Sequence, residues 1–174
     1  MILVVNVCKE RLHYYEFVKP VVDILENEEV LVSHYEDLNT KDLERCDKVI
    51  ICGTSLKDEE FVLDVEKFDW LKDFDKPVLG ICAGFQILGM VFCGKVRKSL
   101  EVGFFREEFV EDFLGLSGEV EVYHLHNNYV DFPLEWRIYS GVEFAQAVKW
   151  NNFYGVLFHP EVRNKEMILR FAEL

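Results

Sequence analysis

Short apolar runs alternate with longer amphipathic segments through the first half of the chain. Four of these runs predict buried strands, at residues 2–7, 30–34, 48–52 and 78–81. Their continuous apolar character is typical of a parallel sheet that is covered on both faces. The segments between them predict helices at about 14–25, 40–45 and within 59–74, and Pro20 should kink or restart the first of these. Another predicted helix, from 83 to about 92, directly follows a strand.

The pattern changes after Gly94, where shorter alternating runs predict strands at 95–98, 108–110, 119–123, 137–140, 143–150 and 154–158. Asn151 and Asn152 lie between the last two and predict a hairpin turn. A final helix is predicted at 164–173. A βαβα first half and a β-rich second half indicate an α/β fold, with an open, mostly parallel sheet flanked by helices. No linker or repeat divides the chain, so residues 1–174 are expected to form a single domain.

The composition of the chain disfavours several classes of binding partner and several cellular locations. Half of the 174 residues are hydrophobic, and the net charge is −13. No stripe of basic residues is present to bind nucleic acid or an anionic membrane surface, and no apolar run reaches the roughly 20 residues of a membrane helix. The apolar N-terminus resembles a first strand more than a signal peptide. Five dispersed cysteines without a C-x-x-C pair favour a reducing cytoplasm and disfavour structural zinc.

The segment around Cys82 carries the strongest indication of chemistry. Gly80 and Gly84 flank Cys82 in a Gly-x-Cys-x-Gly pattern, with a predicted strand before it and a predicted helix after it. This is the context of a nucleophile elbow, in which small neighbours permit an abrupt turn at a strained apex. The helix N-terminus favours the thiolate form of such a cysteine. Buried structural cysteines are more common in general, and Cys52 and Cys93 are interpreted that way.

A second pattern lies near the end of the chain, where an apolar strand runs into His159, Pro160 and Glu161. Reactive groups collect at the carboxyl ends of parallel strands, so Cys82 and His159 are expected to be neighbours in space. His159 can act as the base for the thiol, and Glu161 can hold the other ring nitrogen. His124 and His126 alternate on a predicted strand. Because no third ligand accompanies them, no metal site and no cofactor are expected.

The two motifs together resemble the class I (triad) glutamine amidotransferases, whose signatures are Gly-x-Cys-x-Gly-x-Gln and Phe-His-Pro-Glu. The matching residues are Gly80, Cys82, Gly84 and Gln86 in the first motif, and Phe158, His159, Pro160 and Glu161 in the second. The likeness in length and element order covers essentially the whole chain. It implies a flavodoxin-like α/β fold and a glutaminase that releases ammonia for a synthetase.

The resemblance also implies roles for individual residues. Cys82 would attack the amide carbon of L-glutamine, His159 would transfer protons, and Glu161 would orient His159. Gln86 would hold the substrate, while backbone N–H groups of Ala83 and of Gly53 or Thr54 would form the oxyanion hole. Many family members carry two glycines and a proline in that loop, whereas this chain has only Gly53. Turnover is therefore expected to be slow or gated by a partner.

A segment at 122–130 resembles the loop that precedes the second motif in the glutaminase of GMP synthetase. His126 matches the Ser-His-x-Asp pattern there, but Leu125 replaces the serine and Asn128 the aspartate. His126, Asn127 and Asn128 are therefore candidate substrate contacts, and an ordinary polar loop is the equally weighted alternative. Among the members of the family, the motifs favour the glutaminase of GMP synthetase. Subunits that feed anthranilate, aminodeoxychorismate, imidazole glycerol phosphate or formylglycinamidine synthesis remain open.

Two other function classes stay open at this stage. A stand-alone hydrolase of γ-glutamyl amides would turn over at full rate without a partner. A non-catalytic regulatory module of the same fold would not need to retain Cys82, His159 and Glu161 together. A partner-dependent glutaminase ranks first, the hydrolase second and the module third. The chain has no P-loop and no Gly-x-Gly-x-x-Gly pattern, so it is not expected to bind a nucleotide.

Overall fold

The computed structural model describes all 174 residues, which form one nine-stranded sheet with helices on both faces. The strands are β1 Ile2–Asn6, β2 Val30–His34, β3 Lys48–Ile51, β4 Val78–Ile81, β5 Lys95–Phe113, β6 Leu116–Asp131, β7 Arg137–Ser140, β8 Ala147–Trp150 and β9 Phe153–Val156. Their order across the sheet is β2-β1-β3-β4-β9-β8-β7-β5-β6. The predicted α/β fold class is confirmed.

Parallel and antiparallel pairings occupy separate halves of the sheet. Strands β2, β1, β3, β4 and β9 are parallel neighbours, whereas β9, β8, β7, β5 and β6 pair antiparallel. The sheet is therefore mixed, and the mostly parallel arrangement expected from the sequence holds only for the half that runs from β2 to β9. Strands β1, β3 and β4 are almost wholly buried, because helices cover both of their faces. The hairpin turn predicted at Asn151 and Asn152 joins β8 to β9.

The second half differs from its prediction in two places. The strand expected at 143–150 begins only at Ala147. The short strands expected at 95–98, 108–110 and 119–123 are parts of two long strands, β5 and β6, which form one extended antiparallel hairpin. Segment 122–130, compared above with a loop, lies within β6. A register shift between Lys98 and Glu101 interrupts the hairpin, and such irregularities re-aim side chains.

The helices follow the predicted positions closely. They are α1 Arg11–His13, α2 Lys19–Ile24, α3 Thr40–Arg45, α4 Glu60–Leu63, α5 Ala83–Val91 and α6 Lys165–Ala172. A π-helical turn, Tyr14–Val18, separates α1 from α2, and Pro20 lies in the first turn of α2, which confirms the restart. The segment after α4 is a 3₁₀ helix, Val65–Asp73.

Two apolar cores pack on opposite faces of the sheet. One lies beneath α2 and α6 and contains Phe17, Met167 and Phe171, while the other lies beneath α5 and contains Phe85 and Leu88. Every residue of α5 except Met90 is buried. The start of α5 is therefore fixed against the ends of β3 and β4. No helix in the structure has both the length and the apolar character needed to cross a membrane.

Candidate active site

The turn from β4 into α5 has the geometry of a nucleophile elbow. Cys82 is the only residue between them, and its backbone has φ 49° and ψ −97°, a strained conformation for a residue with a side chain. Neither flanking position has room for a Cβ atom. One added to Gly80 would lie 2.6 Å from the Gly84 backbone, and one added to Gly84 would overlap the carbonyl oxygen of Ile51. The two glycines thus permit the close approach of strand and helix.

Cys82 lies at the N-terminus of α5 and is buried. The N–H groups of a first helical turn have no intrahelical acceptor and carry partial positive charge. They favour a thiolate at Cys82 and an oxyanion next to it. The Cys82 Sγ lies 3.5 Å from the backbone carbonyl oxygen of Leu125, to which it donates when it is protonated as the thiol. Strand β6 therefore forms one wall of the site.

His159 and Glu161 form a buried ion-pair geometry at the end of β9. The Nδ1 atom of His159 lies 2.7 Å from Oε1 of Glu161, and both side chains are about 1% exposed. Burial opposes protonation of His159, but the charges of Glu161 and Cys82 outweigh it and raise the pKa of His159 well above its ordinary value. The ring of Phe17 lies 5.5 Å from the imidazole and helps to exclude water. An imidazolium here can stabilise a thiolate.

The structure brings Cys82, His159 and Gly53 together, although they follow three different strands. A Cβ atom added to Gly53 would lie 2.6 Å from Cε1 of His159 and 3.3 Å from Cβ of Cys82. The Nε2 atom of His159 is buried without a hydrogen-bond partner, which leaves it available to the thiol. Catalytic hydrogen bonds are often long before substrate binds. The predicted triad is thus one spatial cluster at the carboxyl ends of the parallel strands.

The loop after β3 is fixed by a carboxylate that sequence reasoning did not identify. Thr54 is buried, and its hydroxyl donates to Oδ2 of Asp58 at 2.7 Å. The same oxygen accepts the backbone N–H of Lys9 at 3.1 Å and lies 2.8 Å from Nδ1 of His13. Asp58 thereby holds the candidate oxyanion loop to the segment after β1. The backbone N–H of Asp58 also donates to the carbonyl of Ser55 at 2.9 Å and closes a local turn. No motif in the sequence marks Asp58.

A small cleft opens beside Cys82, and most of the candidate substrate contacts line it. These are Thr54, Ala83, Gln86, His126, Asn127 and Asn128. The Gln86 amide donates to the backbone carbonyl of Asn128 at 3.3 Å, and the Asn127 amide donates across the cleft to that of Leu56 at 3.2 Å. The cavity volume is about 20 Å³, room for roughly one water molecule. The cleft must therefore widen before a glutamine side chain can enter.

The side chain of His126 makes its polar contacts away from the cysteine. Its Nε2 atom lies 2.9 Å from Glu101 and 3.2 Å from Nδ1 of His124. Burial, reinforced by His124, lowers the pKa of His126 to about 4. His126 is thus neutral at pH 7. Its place in the cleft wall comes from β6 as a whole and not from a mobile loop.

The remaining cysteines have environments unlike that of Cys82. Burial raises the pKa of Cys8 to about 11, that of Cys52 well above its ordinary value, and that of Cys46 as well. Their thiols are therefore protonated at neutral pH and poorly nucleophilic. Cys93 is exposed, contrary to the expectation of burial, because it follows the last turn of α5.

Replacing Gly53 with alanine is expected to lower kcat for glutamine hydrolysis by about 10²-fold, because the new Cβ would displace the His159 ring. Glu161 and the surrounding core hold that ring, so overpacking should also destabilise the fold by about 1–3 kcal/mol. Steady-state glutamate release and the thermal midpoint should be measured on the same preparation. A fully folded variant with unchanged kcat would contradict this contact.

Comparisons with known proteins agree with the geometry. Residues 13–172 match the family model for Glutamine amidotransferase class-I. A glutamine-hydrolyzing GMP synthase subunit of Saccharolobus solfataricus is 32% identical over 140 residues, which cover 72% of this chain and 73% of that protein. The corresponding GMP synthase subunit of Pyrococcus abyssi is 32% identical over 124 residues, 63% of this chain and 64% of that protein.

Solved structures share the fold at lower identity. A Thermoplasma acidophilum protein provisionally described as a GMP synthase subunit superposes with a TM-score of 0.86 at 20% identity, covering 99% of this chain and 92% of that one. A glutamine amidotransferase of Thermotoga maritima gives 0.72 at 21% identity, covering 99% and 80%. Family model, sequence relatives and fold thus agree, and the chain belongs to the class I glutamine amidotransferase family.

Proposed function

We propose that this chain is a glutaminase subunit of the GMP synthase type, which hydrolyses L-glutamine and passes the ammonia to a separate synthetase subunit. The observation that carries the chemistry is the cluster of Cys82 on its elbow with the buried pair His159 and Glu161. The synthetase type is supported by the relatives at 32% identity that are named as subunits of GMP synthase. The continuous sheet supports a single domain over residues 1–174, and its free thiols favour a cytoplasmic location.

The first half-reaction forms a thioester. The Cys82 thiolate attacks the side-chain amide carbon of glutamine, and the carbonyl oxygen becomes an oxyanion. As the C–N bond breaks, the imidazolium of His159 gives its Nε2 proton to the departing nitrogen, which leaves as ammonia. Glu161 accepts the Nδ1–H throughout, since the 2.7 Å contact fixes the ring orientation. The enzyme now carries a γ-glutamyl group on sulfur.

The second half-reaction hydrolyses that thioester. Neutral His159 takes a proton from water, the resulting hydroxide adds to the thioester carbon, and the C–S bond breaks to release glutamate. Cys82 and His159 return to thiolate and imidazolium. The backbone N–H of Ala83 at the helix N-terminus would stabilise both oxyanions, together with an N–H of Gly53 or Thr54. Gln86, Asn127 and Asn128 line the cleft, which supports a role for them as substrate contacts in this proposal.

The closed cleft supports dependence on a partner. Asn127 on β6 and Leu56 on the loop after β3 are joined across its mouth, and the room inside suits about one water molecule. A synthetase that separates these two elements on docking would admit glutamine only when the ammonia can be used. Docking would thus shift the population of the chain towards an open state, and it would limit hydrolysis of glutamine whose ammonia has no acceptor.

The proposal is tested by glutamate release with and without the GMP synthetase subunit encoded in the same genome. The chain alone is expected to turn over slowly, and the docked pair with its nucleotide substrates at least about 10-fold faster, because docking stabilises the open cleft. GMP formation from ¹⁵N-amide glutamine should carry the label into the product. Full-rate turnover by the chain alone would favour the stand-alone hydrolase instead.

Ammonium chloride provides the internal control. A mixture of the synthetase with the Cys82→Ala chain should form GMP from ammonium and none from glutamine. That result separates loss of the glutaminase from loss of the complex. Stimulation of glutaminase activity by a different family synthetase, and not by this one, would retain the chemistry but reject the GMP synthase assignment.

A further inference from the structure

The long hairpin of β5 and β6 contains a second cluster of titratable side chains, and both strands contribute to it. Glu101 of β5 lies directly opposite His126 of β6, and His124 is two residues further along β6 on the same face. Because directly opposed residues of an antiparallel pair share a face, the Glu101 carboxylate lies beside the two rings, next to the register shift between Lys98 and Glu101. Both histidines are at most 1% exposed, and Glu101 is 20% exposed.

The three ligand atoms form a compact triangle. Nε2 of His126 is 2.9 Å from Oε2 of Glu101 and 3.2 Å from Nδ1 of His124, and the third side measures 3.6 Å. In tetrahedral zinc sites, bonds of about 2.0–2.2 Å place neighbouring ligand atoms about 3.3–3.5 Å apart. The triangle therefore matches three corners of such a site with shifts of a few tenths of an ångström. Two imidazoles and one carboxylate are a standard zinc donor set.

The surroundings supply what a metal site needs beyond its ligands. Oε1 of Glu107 lies 3.4 Å from Nε2 of His124, and the Ser140 hydroxyl holds the other carboxylate oxygen at 3.2 Å. The contact between Glu107 and His124 is not a hydrogen bond in the present geometry. A small approach of the two groups would make it one, and a carboxylate behind a ligating histidine then fixes the ring tautomer and strengthens the metal bond. The amide of Gln146 lies 3.0 Å from Glu101, and its Oε1 is buried without a partner. A fourth ligand can come from that oxygen or from water.

Charge balance also favours a cation at this place. The rings of Phe105, Phe144 and Phe158 lie within 6.5 Å of the two imidazoles and lower the local polarity. Two carboxylates lie against these rings, and the side chains of Glu101 and Glu107 are only 20% and 13% exposed. Negative charge at this depth is costly unless a cation or hydrogen bonds offset it.

We propose that Glu101, His124 and His126 bind one divalent transition-metal ion, with Zn²⁺ preferred, and that the ion clamps the two hairpin strands together. Sequence reasoning disfavoured a metal because it recognised no third ligand, and Glu101 supplies that ligand through strand register. The clamp lies next to Leu125, whose carbonyl contacts Cys82. The bound ion therefore fixes the strand that forms one wall of the active site. The metal site does not depend on the proposed reaction.

The test uses the full chain with Cys82→Ala, so that the catalytic thiol cannot bind the ion. After chelator treatment, titration with Zn²⁺ by calorimetry should show one site, and Co²⁺ should give the visible bands of a tetrahedral site without a thiolate charge-transfer band. Adding Glu101→Gln should weaken Zn²⁺ binding by at least about 100-fold. Adding Glu107→Gln should weaken it about 10–100-fold, as expected for a residue behind a ligand.

Glu119→Gln in the same background is the matched control, because Glu119 is an exposed carboxylate of the same hairpin that pairs with Arg106. It should leave affinity unchanged. The thermal midpoint should rise with Zn²⁺ in the control and not in the Glu101→Gln protein, which also verifies that both fold. Absence of stoichiometric binding, equal affinity in all three variants, or a thiolate band from another cysteine would each overturn the proposal.

Discussion

Replacing Cys82 with alanine is expected to reduce glutamate release from L-glutamine by about 10⁵-fold or more, to the level of a blank. Cys82 is the only cysteine that lines the cleft, and it combines the elbow with the helix N-terminus and the neighbouring His159, so the proposed thioester has no other thiol on which to form. The other residues would still bind substrate, but without the covalent step the barrier returns towards that of amide hydrolysis in water. A coupled glutamate assay measures the loss, with the synthetase present to open the cleft.

Cys93→Ser is the matched control, because this exposed cysteine lies outside the site. It should retain the parent activity. The Cys93→Ser protein also permits a direct assay of reactivity: with one thiol reagent at neutral pH, Cys82 should react before Cys8, Cys46 and Cys52, whose pKa values burial raises. Undiminished glutaminase activity in Cys82→Ala, or preferential labelling of another cysteine, would remove Cys82 from the role of nucleophile.

The centre of the parallel half was predictable because β1, β3 and β4 are buried on both faces, whereas β2 at the sheet edge is partly exposed along its length. Continuous apolar runs therefore mark β1, β3 and β4, and amphipathic helices separate them. The elbow and the His159–Glu161 pair were predictable for a related reason. Their geometry depends on residues within two positions of one another, so local spacing carries the information.

The long hairpin was not predictable from the same kind of pattern. Most of β5 is exposed, and charged residues occur on both of its faces, so alternation of apolar and polar positions breaks down there. Its strand character comes instead from pairing with β6 along its length, including cross-strand contacts such as Arg106 with Glu119. Because most of these pairing partners lie far apart in the sequence, they leave little trace in a local window.

The same limit explains which site residues were missed. Asp58 reaches the oxyanion loop, Lys9 and His13 only after three segments have come together. Glu101 joins His126 only in the register that follows the irregularity in β5. Neither residue belongs to a local motif. Sequence spacing therefore identified Cys82, His159 and Glu161, on which the proposed reaction rests, whereas the residues that hold or neighbour them required the tertiary structure.

Replacing Glu161 with glutamine is expected to lower kcat by about 10³–10⁴-fold with little change in KM. The amide is nearly isosteric with the carboxylate, so His159 should stay in place. Without the negative charge of Glu161, however, burial becomes the dominant influence on the pKa of His159. Because burial disfavours the charged imidazolium, this pKa should fall. The amide can also donate to Nδ1 and so favour the tautomer that carries its proton on Nε2. In that tautomer Nε2 cannot accept a proton from the thiol or from water. The kcat–pH profile should record the fall as a downward shift in the ionisation of the imidazolium.

Glu135→Gln is the matched control, since Glu135 is exposed and outside the site. Its kcat and pH profile should equal those of the parent. A structural role for Glu161 would appear as a lower thermal midpoint with a proportionate loss of active protein. An orienting and electrostatic role would instead lower kcat per active site. Alkylation of Cys82 counts the active sites. Parent-like kcat in a folded Glu161→Gln protein would mean that the 2.7 Å contact with His159 serves only packing.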